Sequence, residues 1–177
     1  MSSQIPIGEN ALSLIDLWKK NSGTASVVDF KHALNDNYAR MYDFAFLIRM
    51  DHGVMISTFM GHELKRRESN ADDLSSFYLD LFKKEDRKSV FQIYNHAQQK
   101  MWGIIGTVER QPKEGRKRFR RSFLSMPIIR DDKVCMFINT DDKQDYRSVC
   151  AEKSPPPALS PGETSILEYS FFDPATL

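Results

Sequence analysis

Cysteine is scarce in this sequence, and neither sign of charge dominates it. Only two cysteines, Cys135 and Cys150, occur among the 177 residues, which is too few for a disulfide scaffold or for a zinc site built from cysteine alone. Lysine and arginine number 25 and aspartate and glutamate number 24, so the formal net charge is +1. This balance excludes a globally basic nucleic-acid-binding protein, although it leaves room for a local basic patch.

Long apolar runs are also missing. No stretch approaches the roughly 20 residues that a membrane-spanning helix needs, and the N-terminus lacks the basic and apolar segments of a signal peptide. We therefore expect a cytoplasmic protein that does not contact membranes and keeps its cysteines reduced. Hydrophobic residues make up 41% and charged residues 28% of the chain, which is the usage of an ordinary globular domain.

Periodicity predicts the order of the elements. Alternation from Tyr42 to Met50 and from Val54 to Met60, joined by a turn at residues 51–53, predicts an antiparallel hairpin. Helical spacing is strongest over residues 85–101. The remaining predicted elements are a helix over residues 10–20, short helical pieces over 62–68 and 72–82, and strands over 102–110, 118–129 and 134–140.

Helices placed between two antiparallel strand groups favour the α+β class, with the helices on one face of the sheet. Three parts are expected along the chain. Residues 1–24 hold a helix for dimerisation or capping, residues 25–142 form the domain, and residues 143–177 form a proline-containing linker and an apolar tail. The tail is too apolar to be merely disordered, and we expect it to dock on a domain surface.

Several short motifs accompany this order of elements. They are Leu17-Trp18, Asp29-Phe30, Met60-Gly61-His62-Glu63-Leu64, Asp80-Leu81-Phe82 before Glu85-Asp86-Arg87, and Met126-Pro127-Ile128. Over about residues 10–142 the chain resembles the PAS sensory family, and in particular the short stand-alone PAS proteins of bacteria. The resemblance implies a five-stranded antiparallel sheet with helices on one face and a small cavity between them. It also implies signal transduction through a ligand or a partner protein, not enzymatic catalysis.

Aromatic and methionine side chains on the predicted core elements are candidates to line such a cavity, because methionine adapts to irregular ligands. The candidates are Phe46, Tyr94, His96, Met101, Leu124, Met126 and Met136. His96 lies on the long helix, from which haem-binding PAS proteins supply an axial ligand, but a surface histidine is the simpler interpretation. The cofactor is therefore left unknown. No metal site is predicted, because the four histidines lack paired ligand spacing.

A basic run between residues 110 and 121 contains seven basic residues and one acid. The candidate anion-binding residues within it are Arg116, Arg118, Arg120 and Arg121. The alternative is a solvated hairpin whose charges discourage edge-to-edge pairing, and this alternative is favoured. Nucleic acid is not the favoured partner.

The apolar face of the first helix is the candidate dimer interface, because Leu14, Ile15 and Trp18 are costly to expose. A homodimer that acts on an unidentified signalling protein is expected. Two other functions stay open. One is a small α+β enzyme or carrier with a cone-shaped pocket, resembling the nuclear-transport-factor-like fold. The other is an oligomerisation module with a collapsed cavity.

Overall fold

The computed structural model describes residues 7–20, 41, 43–62, 77–110, 119–131, 133–141 and 164–176. The helical piece predicted over residues 62–68 lies outside these ranges except for His62, and so do residues 72–76 of the piece predicted over 72–82. The described residues form helices α1 (Glu9–Lys20) and α2 (Arg87–Lys100) and the strands β1 (Ala45–Asp51), β2 (Val54–Met60), β3 (Gly103–Arg110), β4 (Phe119–Arg130), β5 (Lys133–Asp141) and β6 (Thr164–Phe172). Short 3-10 helices lie at Tyr78–Leu81 and Pro174–Thr176.

The strands form one antiparallel sheet in the order β2-β1-β5-β4-β3-β6. The predicted hairpin and three-stranded meander are both present, and β1 pairs with β5 to join them. The sheet has six described strands where five were expected. The extra strand is β6, because the apolar tail pairs along β3 and does not merely rest on the surface.

Local chemistry sets the ends of the elements. His52 and Gly53 both have positive φ, 44° and 84°, as the type I′ turn of a two-residue hairpin requires. Helix α2 ends because Met101 takes a left-handed conformation, and the Trp102 N–H then donates to the Ala97 carbonyl at 2.9 Å. At the other end, Arg87 donates to the Phe82 carbonyl and pairs with Asp80 at 2.7 Å, which ties α2 to the preceding 3-10 helix.

The two helices cover opposite faces of the sheet. We call these faces the α1 face and the α2 face. On the α1 face, Leu14, Leu17 and Trp18 pack on sheet residues of β1, β4 and β5. On the α2 face, α2 and the Tyr78–Leu81 helix pack on residues of all strands from β1 to β5. The helices α2 and 78–81 therefore share a face as expected, and α1 covers the other.

One polar contact orients α1 on its face. The indole N–H of Trp18 donates to the Pro127 carbonyl at 2.8 Å in a buried position. Proline is tolerated inside β4 because β3 pairs with β4 only as far as Ser125, so no ladder bond to β3 is lost there. The sequence places Leu14 and Trp18 in a dimer interface, but the structure leaves them 0% and 9% exposed against their own sheet. The reason for expecting a second copy to cover them therefore no longer holds, and Ile15 is only partly buried beside them.

Two leucines of α1 test this packing. Leu14→Ala is expected to lower the free energy of unfolding by about 2–5 kcal/mol, because Leu14 is fully buried and its loss leaves a cavity. Leu12→Ala is the matched control, since Leu12 is 57% exposed and its loss is expected to cost under about 0.5 kcal/mol. Urea unfolding followed by circular dichroism measures both. Equal losses would contradict the placement of α1.

Candidate functional site

A network of buried, hydrogen-bonded hydroxyl and amide groups crosses the interior between α2 and the sheet. The Tyr94 hydroxyl, on α2, donates to Asn139 Oδ1, on β5, at 2.7 Å. The hydroxyl oxygens of Tyr78 and Tyr94 are 3.5 Å apart. Because Tyr94 has already committed its proton to Asn139, Tyr78 is the donor in that contact. Tyr78, Tyr94 and Asn139 are all at least nine-tenths buried. Their hydrogen bonds therefore link α2, the 3-10 helix and β5 away from water.

A second strand brings another polar group to the same place. Ser125 on β4 lies directly opposite Asn139 on β5, and both are 0% exposed. One Asn139 Nδ2 proton goes to the Phe137 carbonyl at 3.3 Å. The Ser125 hydroxyl has no hydrogen-bond partner among the described residues. A buried hydroxyl that no protein group, water or bound molecule satisfies costs about 1–3 kcal/mol of folding free energy.

Aromatic rings form the wall around these polar groups. Tyr78 lies at its centre, with ring centroids 5.6 Å from Phe46, 5.3 Å from Phe82 and 5.8 Å from Tyr94. Tyr94 in turn meets Phe137 edge-on at 5.2 Å. The candidate site thus combines an aromatic wall with a polar floor on β4 and β5. The 3-10 helix Tyr78–Leu81 carries the central ring.

The seven residues proposed from the sequence as a pocket lining do not come together. Phe46 and Tyr94 are in the core of the α2 face. Leu124 and Met126 are in the core of the α1 face, and Met136 packs against it. These three were misassigned because a strand alternates faces at every residue, so the sheet itself separates them from Tyr94. Met101 is 41% exposed and acts through its backbone at the end of α2.

His96 also lies outside the interior. Its side chain is exposed, and its ring is 4.9 Å from Phe171 and 5.8 Å from Trp102, centroid to centroid. A haem iron needs an axial histidine that points into an enclosed apolar pocket. The residues around His96 do not fit a haem, and no step of the function is assigned to one.

The basic residues proposed to bind anions divide between the two faces of the sheet. Arg120 is exposed and pairs with Glu109 at 3.4 Å. Arg121 is 3% exposed and lies opposite Val108, a core residue of the α2 face. Arg116 and Arg118 lie outside the described residues. The two described arginines therefore do not form one anion-binding surface.

Of the residues that form the site, the sequence predicts only Phe46 and Tyr94. Tyr78 lies within the helical piece predicted over residues 72–82, whose spacing does not show which side chain points into the interior. Ser125 and Asn139 sit within strand-like runs, where a polar residue is ordinary on a solvated face. Only the pairing of β4 with β5 shows that both point inward. A buried polar pair on adjacent strands carries no signal in a single sequence.

The arrangement around the site decides the fold type. A hairpin is followed by a 3-10 segment and a long helix that crosses one face, and a meander then returns its last strand beside the first. The fold is PAS-like. The order and the antiparallel pairing are those that the resemblance implied, with β6 added at the β3 edge.

Comparison with solved structures returns sensory proteins of low sequence identity. An RNA-binding light-oxygen-voltage receptor is 10% identical and has a TM-score of 0.41, over 86% of this chain and 40% of that chain. The periplasmic sensory domain of the Campylobacter jejuni chemoreceptor Tlp1 is 14% identical and has a TM-score of 0.35, over 81% of this chain and 59% of that one. This chain therefore spans less than two thirds of either solved chain. No family model and no curated protein matches the sequence.

The described residues contain neither a metal-ligand cluster nor a membrane-spanning helix. Across the described ranges, no group of three or more histidine, cysteine, aspartate or glutamate side chains is placed to hold a metal ion. No helix within the described part of the chain is long and apolar enough to cross a membrane.

Removing the Tyr94 hydroxyl tests the buried hydrogen-bond network. Tyr94→Phe is expected to lower the free energy of unfolding by about 1–3 kcal/mol. The substitution removes the hydroxyl that bonds to both the buried Asn139 Oδ1 and the Tyr78 hydroxyl. Tyr169→Phe is the matched control, since Tyr169 is 45% exposed. Guanidinium unfolding at a fixed pH compares them. A Tyr94→Phe protein as stable as the control would contradict the interior hydrogen bonds.

Proposed function

We propose that the chain is a sensory module of signal transduction that binds a small uncharged molecule between α2 and the sheet. The observation that carries the proposal is the Ser125 hydroxyl, fully buried beside Asn139 and without a hydrogen-bond partner among the described residues. Polar groups of this kind are the convergent anchors of otherwise apolar ligand sites. The aromatic wall supplies the apolar part.

The chemistry of the site favours a neutral ligand. Its polar groups are two phenols, one amide and one hydroxyl, which offer hydrogen-bond donors and acceptors but no charge. Arg121 is four residues from Ser125 along β4, roughly 13 Å at the rise of an extended strand. An ionised ligand group would lose its hydration without a paired charge, at a cost of several kcal/mol. A carboxamide or a carbonyl beside an N–H suits Ser125 and Asn139 better.

The signal in this proposal passes through Asn139. Its Oδ1 holds the Tyr94 hydroxyl of α2, and its strand is paired with both β1 and β4. A ligand that forms a hydrogen bond with the Asn139 side-chain amide weakens the bond between Asn139 and Tyr94 of α2. Such a ligand shifts the position of α2 only by its difference in affinity for the two positions. The output is therefore a change in how α2 and the 3-10 helix present themselves to a partner.

A second function is supported by the aromatic wall. Tyr78 contacts three rings, so the chain's own side chains occupy much of the interior. A protein-interaction module whose interior is filled in this way has no need of a ligand. The enzyme or carrier alternative gains no such support, because the long helix falls between the strand groups and the described interior polar groups include no carboxylate or imidazole.

Native mass spectrometry of the purified full-length chain tests the ligand. We expect a discrete mass of a small molecule above that of the polypeptide, and we expect Ser125→Ala to reduce the bound fraction at least tenfold, which is the effect of about 1.4 kcal/mol. Thr140→Val is the matched control. Thr140 also has a buried hydroxyl without a described partner, but it lies opposite Leu124 on the α1 face.

The outcomes separate the two functions. Loss of the bound mass in Ser125→Ala and its retention in Thr140→Val support the ligand site. A bare polypeptide in every preparation contradicts the ligand and favours the interaction module. Equal loss in both variants contradicts the assignment of the ligand to the α2 face.

A further inference from the structure

Strand β6 is the outermost strand of the described sheet on the β3 side. One of its edges pairs with β3 along its length. The nine residues, TSILEYSFF, contain no proline, lysine or arginine and a single acid. Natural edge strands are usually protected by residues of those kinds, because an open edge pairs readily with another strand. At the start of β6, Phe82 forms a parallel bridge with Thr164 on the side away from β3. Beyond Thr164, the outer edge of β6 lacks that chemical protection.

The side chains beside this edge are unusually apolar for a surface. Leu167 and Tyr169 are 43% and 45% exposed. The Tyr169 ring is 5.5 Å from Phe171, which contacts His96 at 4.9 Å and Trp102 at 6.1 Å, between centroids. We call Tyr169, Phe171, His96 and Trp102 the aromatic band. It runs along the α2 face to the edge of the sheet.

Strand β6 is also firmly attached to its own domain. At its start, the Lys83 N–H donates to the Thr164 carbonyl at 2.9 Å. At its end, the Phe172 ring occupies the space that a side chain at position 103 would need, so Gly103 lets the ring lie on the β3 backbone. A strand held at both ends presents a fixed outer edge. Its exchange for the strand of another molecule is not favoured.

We propose that a second copy of this chain pairs with the outer edge of β6 through its own β6, antiparallel and centred on Ser170. Identical strands related by a two-fold axis make a self-complementary pair and extend the sheet across both molecules. The extra residue Leu167, which has no counterpart in β3 between Glu168 and Ile166, forms a bulge. It confines regular pairing to Glu168–Phe172, whose centre is Ser170.

This register suits the side chains. Tyr169 lies opposite Phe171 of the second copy on the α2 face, which joins the two aromatic bands, and cross-strand aromatic pairs are favourable. The two Glu168 carboxylates stand four residues apart along the strand direction, roughly 13 Å, so they are largely screened at physiological salt. A pair centred on Glu168 would place the carboxylates directly opposite each other, which is destabilising.

Cysteine cross-linking tests both the partner and the register. In a chain carrying Cys135→Ser and Cys150→Ser, Ser170→Cys is expected to give a disulfide-linked dimer of about twice 20.5 kDa under mild oxidation. Opposed residues on antiparallel strands lie within the Cα separation that a disulfide accepts. Leu167→Cys is the matched control, because it is exposed on the same strand but lies outside the paired segment. At least tenfold less dimer is expected from it.

A second variant measures association without a cross-link. Light scattering of the unmodified chain is expected to give a dimer mass, and Tyr169→Lys is expected to give a monomer, because it places a charge in the joined aromatic bands. Circular dichroism checks that the exposed substitution leaves the fold intact. A monomeric unmodified chain overturns the proposal. So does a dimer that persists in Tyr169→Lys, or equal cross-linking at positions 167 and 170.

Discussion

The buried amide of Asn139 is the constraint on which the rest of the interior depends. It lies fully buried in a central strand, so each unpaired atom would cost free energy that the fold cannot recover by packing. The Tyr94 hydroxyl donates to the side-chain oxygen of Asn139 at 2.7 Å, and that hydrogen bond places α2 over β5. Tyr78 then donates to Tyr94, which draws the short 3-10 helix onto the same face. Hydrogen bonds thus add direction to an apolar contact that alone would permit sliding.

The two faces of the sheet differ in chemistry, and the difference divides their roles. The α1 face is closed by leucine, methionine and isoleucine, with Trp18 bonded to a backbone carbonyl as its main directional contact. Thr140 adds a buried hydroxyl to this face, but it lies opposite the apolar Leu124. The α2 face places Ser125 and Asn139 behind an aromatic wall, and this is where the proposed ligand would gain its specificity. The β6 edge adds a third region, suited to association with another strand.

Local signals were strong enough to predict most elements. Strand Val54–Met60 and helix α2 follow from alternation and helical spacing. The face of the sheet to which each strand residue points could not be predicted from the sequence. It depends on strand pairing and on bulges such as the one at Cys135, where the pairing of β4 with β5 shifts register. Phe46 and Leu124 therefore fell on opposite faces. The sequence predicts an apolar tail where β6 lies, and it does not predict a strand there because the bulge at Leu167 breaks the alternation.

We propose that the polar floor on β4 and β5 holds a small molecule. A crystal structure of the full-length chain, purified without added ligands and refined to a resolution that resolves water, tests it most directly. We expect density larger than a water molecule within hydrogen-bond distance of both the Ser125 hydroxyl and the Asn139 amide, against the Tyr78 and Tyr94 rings. A Ser125 hydroxyl bonded to protein, or to a single water in a closed interior, would contradict it.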